Sequence, residues 1–366
     1  MYRPLLRRIS PLWRQRRSYA QIPASDVEKA RRYCREQMKK FDYDAYMIAP
    51  LLPPQSQDLY LALRALNLEL VRLPDTASNA TISAMRYAFW NDSITRTLDT
   101  NPPHQPLCIL LSAALDRIRT RPDGQRTLQG LRFWIMRFLK ARHEGLSNRP
   151  FPSLEAVEKR AEHTYSSLLY CVLASMPLNN MHVDHLASHI GKLAGIVALI
   201  RGVAVLASPV ANQIHTPHGI QASGKKQVLL LPLNIQAKHR VRAEDVFRQG
   251  PLADGFVAAL VEVAVRANDH LITVRTMLER LRQGQDAGHA FEHVEDSGHH
   301  YRGLESQAKG DAVKADIERG FPVFLETVPL NLYLQTLLRV HFDPWRIGPS
   351  WRLPFKLWWA RKTRKI

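Results

Sequence analysis

The sequence predicts an all-α protein, and three observations predict it. Apolar residues recur at helical spacing along most of the chain, the joints between those stretches carry Pro and Asn, and only one short segment reads as a possible strand. In order, a polar segment with alternating charges (26–40) precedes an apolar stretch (46–54) that two prolines end. Residues 58–73, DLYLALRALNLELVRL, place leucines at 59, 63, 66, 70 and 73, steps of four and three that build one apolar face, and Pro74 ends the pattern. Further helical patterns cover 82–98, 107–120, 124–142, 152–175, 181–207, 243–249, 253–283 and 323–340, with joints such as Asn101-Pro102-Pro103 and Asn148-Arg149-Pro150 between them. The strand-like segment is 227–235, QVLLLPLNI, and Pro232 makes an extended connector the better reading. Residues 284–312 are rich in Gly, His, Asp and Glu without periodicity and read as a flexible, solvated insertion. Its His289, His293, His299 and His300 show no distinctive ligand spacing.

A chain of 366 residues that is 45% hydrophobic has ample material for a core, which excludes a disordered protein. Cys34, Cys108 and Cys171 are far apart and form no CxxC, so they read as buried thiols in a reducing compartment. The net charge of +18 resembles a nucleic-acid binder's until it is mapped. Six arginines (Arg3, Arg7, Arg8, Arg14, Arg16, Arg17) and no acid lie in residues 1–20, and seven basic residues and no acid lie from Arg346 onward. Setting those six and seven aside leaves +5 for the body. A basic groove through the fold is not expected, and nucleic acid is not an expected partner.

Residues 1–20 have the composition of a mitochondrial transit peptide: Arg-rich, with serines, and with Leu5, Leu6, Ile9, Leu12 and Trp13 able to share one helical face. Arg17-Ser18-Tyr19-Ala20 fits cleavage near Tyr19; the alternative is a basic nucleic-acid-binding arm. Residues 21–345 then form one helical domain, and 346–366 a basic aromatic tail. In that tail Trp351, Lys356, Trp358, Trp359, Arg361 and Lys362 mix aromatics with positive charge, as suits a membrane interface. Packing of the tail on the body is the competing reading. Pro354 is expected to interrupt helix there and give a bent, shallow anchor. No apolar run of about 18 residues lacks a charge. The nearest, 193–211, holds Arg201 and Pro209 and reads as a buried core helix.

Three segments together carry a resemblance to the squalene/phytoene synthase superfamily. The first aspartate motif of those enzymes has an Arg, two intervening residues, two adjacent aspartates and a further aspartate. The matching stretch here is Arg64-Ala65-Leu66-Asn67-Leu68-Glu69-Leu70-Val71. The second motif begins with Gly and ends Arg-Asp with two more acids, and Gly191 to Gly202 keeps that frame with Gly191 and Arg201 in place. Leu230-Leu231-Pro232 follows where those enzymes have Tyr-Leu-Pro. The resemblance implies an isoprenoid-synthase-type helical bundle with a central cavity. It also implies two acidic helices that hold Mg²⁺ for a departing diphosphate. Yet the six acid positions are Asn67, Leu68, Val71, Gly202, Val205 and Leu206, and none is a carboxylate. Neutral side chains there cannot neutralise a diphosphate through Mg²⁺, so the register predicts no catalysis and no cofactor.

The chain is similar above all to the non-catalytic mitochondrial branch of that superfamily, the assembly factors of respiratory complex I. Residues 62–70, 85–92, 165–170 and 187–195 carry this likeness, within a resemblance that spans 44–345. It implies a matrix-side, peripheral inner-membrane protein that binds complex I subunits or other assembly factors. An active prenyl transferase and a basic nucleic-acid-binding matrix protein are the alternatives from other classes. Arg64, Arg86 and Arg201 could line the former cavity as a pocket for an anionic head group, or could each pair with a local acid, as Arg86 with Asp92 or Glu69. Asn67 reads as a satisfied buried amide, and Trp90, Trp134 and Phe133 as core. His182, His185 and His189 share one side of a helix, where a structural role is favoured over a metal site.

Overall fold

A computed structural model of the protein describes residues 22–77, 79–178, 180–207, 213–216, 219–222, 227–299 and 310–366, so the transit-peptide reading of 1–20 lies outside the described residues. Sixteen α-helices are found among them. The first, α1 (Ala24–Phe41), occupies the stretch read as merely polar. Ala30, Cys34 and Met38 lie four apart and are buried, a narrow stripe of modest residues that the charges around it hide. Asp26 in its first turn and Lys39 and Lys40 in its last complement the helix dipole. Asp42 ends α1 and caps α2 (Tyr43–Ile48), accepting from the Ala45 amide at 3.3 Å.

Prolines at N1 open α3 (Pro54–Val71) and α6 (Pro106–Arg119), where a missing N–H costs nothing. Between them lie the short α4 (Leu73–Thr76) and α5 (Ala80–Leu98), the latter capped by Asn79. The leucine face of α3 is buried as expected, and Tyr60, Leu61, Ala62 and Ala65 are buried on its other sides. Such a helix is enclosed by others all round. Then come α7 (Gly124–Glu144), α8 (Leu154–Ala161) and α9 (Ser167–Ala174). A single π turn, Glu162–Ser166, makes α8 and α9 the one helix expected over 152–175.

A long central element is α10 (His182–Leu206). Its composition would let it cross a membrane, but it packs on α13, α8 and the π turn, as the core-helix reading requires. Two short strands, β1 (Gln213–Thr216) and β2 (Gly219–Ala222), pair antiparallel with Gln213 opposite Ala222. The segment 227–232 is irregular, as the connector reading expects, but Pro232 opens α11 (Leu233–Lys238), so residues 233–235 are helical instead. After α12 (Ala243–Gln249), α13 (Phe256–Arg282) begins at Gly255, whose φ of +72° favours glycine. The chain ends with α14 (Gly310–Phe324), α15 (Thr327–Arg339) and α16 (Leu353–Thr363).

Two apolar clusters make the core. The larger gathers α1, α3, α6, α7, α9, α14 and α16; the smaller gathers parts of α10, α13 and α15. Along α10, residues up to Ile190 belong to the first and residues from Leu193 to the second. Cys34, Cys108 and Cys171 are buried free thiols.

Two expectations need refining. Residues 284–299 form no regular element and are mostly exposed, as a solvated insertion would be, but they are anchored to the body at a few points. Ala287 is buried, Phe291 and Val294 pack on the larger cluster, and His299 is buried with its Nδ1 2.7 Å from Asp184. Apolar anchors that few and that widely spaced leave no periodicity to read. The C-terminal segment is not bent at Pro354. Pro354 falls in the first turn of α16, where proline is tolerated, and Leu353, Leu357 and Ala360 dock the helix on the core.

Candidate functional site

The two degenerate motifs meet around one cavity. Tyr60, Leu63 and Arg64 of α3 line one side, Ile190 and Ala194 of α10 another, and Tyr165, Leu169 and Glu326 complete the wall. Its free volume is about 10 Å³, room for about one water and none for an isoprenoid chain. The motif arginines reach the same two segments. Arg64 donates to Asp42 Oδ2 from Nη2 at 2.6 Å and from Nε at 3.0 Å, and lies 3.8 Å from Glu326. Arg201 lies 3.0 Å from Asp44 and stacks 4.7 Å from the ring centroid of Tyr333.

The electrostatics of this wall are closed on themselves. Burial works against the Arg64 charge, but Asp42 and Glu326 outweigh it and hold its pKa well above the ordinary value. Burial pushes the Glu326 carboxyl up despite Arg64 and a 2.5 Å hydrogen bond from the Tyr60 hydroxyl. Asp42, Asp44 and Glu326 were not legible as site residues in the sequence. Asp42 reads locally as a cap, and nothing in the sequence places Glu326 beside Arg64, 262 positions away.

The six former acid positions scatter in environment. Asn67 is buried and accepts from Arg142 Nη2 at 2.6 Å, the satisfied amide expected. Leu68 packs on the larger core cluster, and Val71 is exposed. On α10, Gly202 faces Leu230, Val205 is exposed, and Leu206 is half-buried. Arg86 lies on the exposed face of α5 and Arg201 is exposed on α10, and neither belongs to the cavity wall, so of the three arginines expected there only Arg64 lines it. Trp134 is fully buried, and Phe133 and Trp90 pack against the same core.

A second constellation lies on α10 one turn before Gly191. His185 and His189, four residues apart, share a face. His289 comes from the 284–299 segment, with its Nε2 3.0 Å from that of His185 and 2.9 Å from that of His189. Behind them His189 Nδ1 lies 3.0 Å from His270 Nδ1, and His270 Nε2 lies 2.8 Å from Glu158 Oε1. Burial, helped by neighbouring histidines and Lys192, pushes the His185 pKa down to about 3 and that of His189 to about 2. Burial raises the Glu158 carboxyl, but His270 and Arg266 outweigh it and hold it at about 2. The sequence grouped His182 with the other two; the convergence instead joins His185 and His189 to His289.

At the C-terminus, α16 shows two faces. The docked stripe leaves Trp351, Phe355, Trp358 and Trp359 at least half exposed, together with Lys356, Arg361 and Lys362. Arg275 and Arg282 hold the carbonyls of Ile366 and Arg364 at 2.8 and 2.6 Å. The packing reading of the tail is thus met for one face of the helix, and the opposite face is exposed.

Residues 38–294 match the squalene/phytoene synthase family model. The chain is 31% identical over 339 residues to the Rattus norvegicus protein named NADH dehydrogenase (ubiquinone) complex I, assembly factor 6, covering 92% of this chain and 83% of that one. It is likewise 31% identical to the Homo sapiens protein of that name, over 85% of this chain and 74% of the relative. A dehydrosqualene synthase crystal structure superposes with a TM-score of 0.61 at 12% identity, over 93% of this chain and 98% of its own. A squalene synthase from Alicyclobacillus acidocaldarius gives 0.52 at 10% identity, over 88% and 98%. Those two likenesses concern the fold, an isoprenoid-synthase-type helical bundle. The motif frames on α3 and α10 and the match of the family model over more than half of its length agree: this chain belongs to the squalene/phytoene synthase family.

Proposed function

We propose that this protein is a non-catalytic member of its family and a mitochondrial assembly factor for respiratory complex I. It acts by binding complex I subunits or other assembly factors at the matrix face of the inner membrane. The observation that carries the reading is the similarity, over 92% of the chain, to a protein named for that role. The site supports the non-catalytic half. A diphosphate leaves when its charge is neutralised, commonly by Mg²⁺ on carboxylates, and six positions that would supply those carboxylates are Asn, Gly or aliphatic. The one acid lining the cavity, Glu326, and Asp42 behind Arg64 both lie beside that arginine, and the cavity has room for about one water.

Peripheral attachment through α16 belongs to the same reading. The exposed aromatic and basic side chains stand on a helix that is itself fixed to the body, so the protein would meet an anionic surface in one orientation. The test is genetic complementation followed by native electrophoresis. Cells lacking the protein should accumulate incomplete complex I, and the wild-type chain should restore the full complex. Restoration should survive replacement of Asp42 and Arg64 together by neutral residues that still fold. Normal complex I without the protein would overturn the assembly role.

A further inference from the structure

We propose that His185, His189 and His289 form a binding site for a divalent transition ion with the ligand preference of zinc, with a coordination position left open to solvent. Among the described residues these three bring their ring nitrogens within 4.8 Å of one another. The two Nε2 separations from His289, 3.0 and 2.9 Å, approach the roughly 3.3 Å between ligand atoms of a tetrahedral ion with Zn–N near 2.0–2.1 Å. His185 is buried, His189 half-buried and His289 exposed, so one side of the site faces water.

The hydrogen-bond chain behind the site fixes the tautomers. The Glu158 carboxylate only accepts, so His270 donates to it from Nε2, and a ring with a single proton then keeps a lone pair on Nδ1. That lone pair takes the Nδ1 proton of His189, which leaves the His189 Nε2 lone pair aimed at His289. His289 Nε2 sits within hydrogen-bond reach of two imidazole nitrogens and has at most one proton to give. A cation at the centre satisfies all three lone pairs at once. The relay from ligand to His270 to Glu158 is the outer-shell arrangement that orients metal-binding imidazoles and raises their basicity. Lys192, one turn further along α10, does not oppose a cation with a bare charge, since Glu292 lies 2.6 Å from its Nζ.

Imidazole donors suit zinc, copper and nickel and do not suit Mg²⁺, so this site is distinct in chemistry as well as place from the family's carboxylate motifs. Its occupant would clip residues 284–299 to α10. The test uses untagged full-length protein, stripped with a chelator and titrated with Zn²⁺ against a chromophoric competitor. One ion per chain is expected, with no comparable binding of Mg²⁺. His289→Ala should weaken binding beyond the roughly 10- to 100-fold that loss of an outer partner costs, and Glu158→Gln should weaken it about tenfold. His289→Asp, which keeps a ligand, should retain more affinity than His289→Ala. Zn²⁺ should also protect the 284–299 segment from proteolysis in the wild type and not in His289→Ala. Sub-stoichiometric binding, or undiminished binding in His289→Ala, would show surface histidines acting adventitiously and would overturn the site.

Discussion

Arg64 holds Asp42 through two of its nitrogens, at 2.6 and 3.0 Å, and both groups are largely buried. The arginine that opens the first degenerate motif is therefore consumed inside the protein, with Glu326 3.8 Å away on its other side. Truncating it should leave two buried carboxylates without their cation. Arg64→Ala is expected to destabilise the fold by about 3–5 kcal/mol, with partial recovery when Asp42→Ala is added. Urea denaturation of the two single variants and the double variant measures this directly.

The same pairing predicts the absence of turnover. Incubation with farnesyl or geranylgeranyl diphosphate and Mg²⁺ should release no diphosphate, because no carboxylate cluster remains to hold the metal and about 10 Å³ of cavity holds no prenyl chain. Release of pyrophosphate by protein free of host synthases, followed by a coupled colour assay, would contradict the register of both motifs.

The glycines of the second motif should differ sharply. A Cβ on Gly191 would lie 2.6 Å from Ser166 Cα, a backbone atom of the π turn, whereas one on Gly202 would meet the end of the Leu230 side chain at 2.7 Å. Backbone cannot give way as a leucine methyl can. Gly191→Ala should cost upwards of about 3 kcal/mol. Gly202→Ala should be close to neutral, because the gain of about 1 kcal/mol in helix propensity offsets the crowding. Thermal unfolding of the two variants separates them.

Asp58 ties α3 to α1 and α6 by accepting from Arg31 at 2.7 and 3.0 Å and from Arg117. Burial alone would raise its pKa, but these hydrogen bonds outweigh burial and hold it below 3.8. A carboxyl lowered on folding contributes fully above its unfolded pKa and loses that contribution as pH falls through the folded value. Asp58→Asn should therefore cost about 2–3 kcal/mol at pH 7, a figure kept modest because Arg117 stays partly hydrated. Its stability should also fall less steeply than the wild type's below about pH 4.

Much of the fold was legible because leucine spacing on α3 and the Pro and Asn joints act locally. What escaped was set by distant partners. Asp26 to Lys40 looked polar because α1 buries only Ala30, Cys34 and Met38 along most of its length. Residues 284–299 lacked a period because their order comes from contacts with α7 and α10 rather than from a regular element, as where His299 packs 4.7 Å from Trp134. At the site, the missing carboxylates were visible in the motif frame, but the acids that replaced them as arginine partners were not. His289 lies 100 positions from His189, and no spacing rule links residues so far apart.

The exposed face of α16 carries the last prediction. Leu353, Leu357 and Ala360 recur at helical spacing and are buried, so the helix is held whether or not a membrane is near. Opposite them Trp351, Phe355, Trp358 and Trp359 stay exposed, and Lys362 lies 5.2 Å from the Trp358 ring centroid. Aromatic rings with polar edges favour the head-group level of a bilayer, and each basic residue near an anionic leaflet adds about 1 kcal/mol. Lys356, Arg361 and Lys362 together would contribute about 3 kcal/mol, on the order of a hundredfold in partitioning if all engage. The triple Lys356→Gln, Arg361→Gln, Lys362→Gln variant should therefore bind phosphatidylcholine vesicles containing cardiolipin at least about tenfold more weakly than the wild type. Raising the salt concentration should weaken the wild type in the same direction. Trp358→Ser with Trp359→Ser should lower binding even to vesicles with little charge. Neither set touches the docked stripe, so unfolding temperatures should stay within about 0.5 kcal/mol of the wild type when converted to stability. Leu357→Asp supplies the contrast, since it should lower stability by loosening the helix from the core. Equal vesicle binding by the wild type and both surface variants would mean that α16 is only a packing element and that another face meets the membrane.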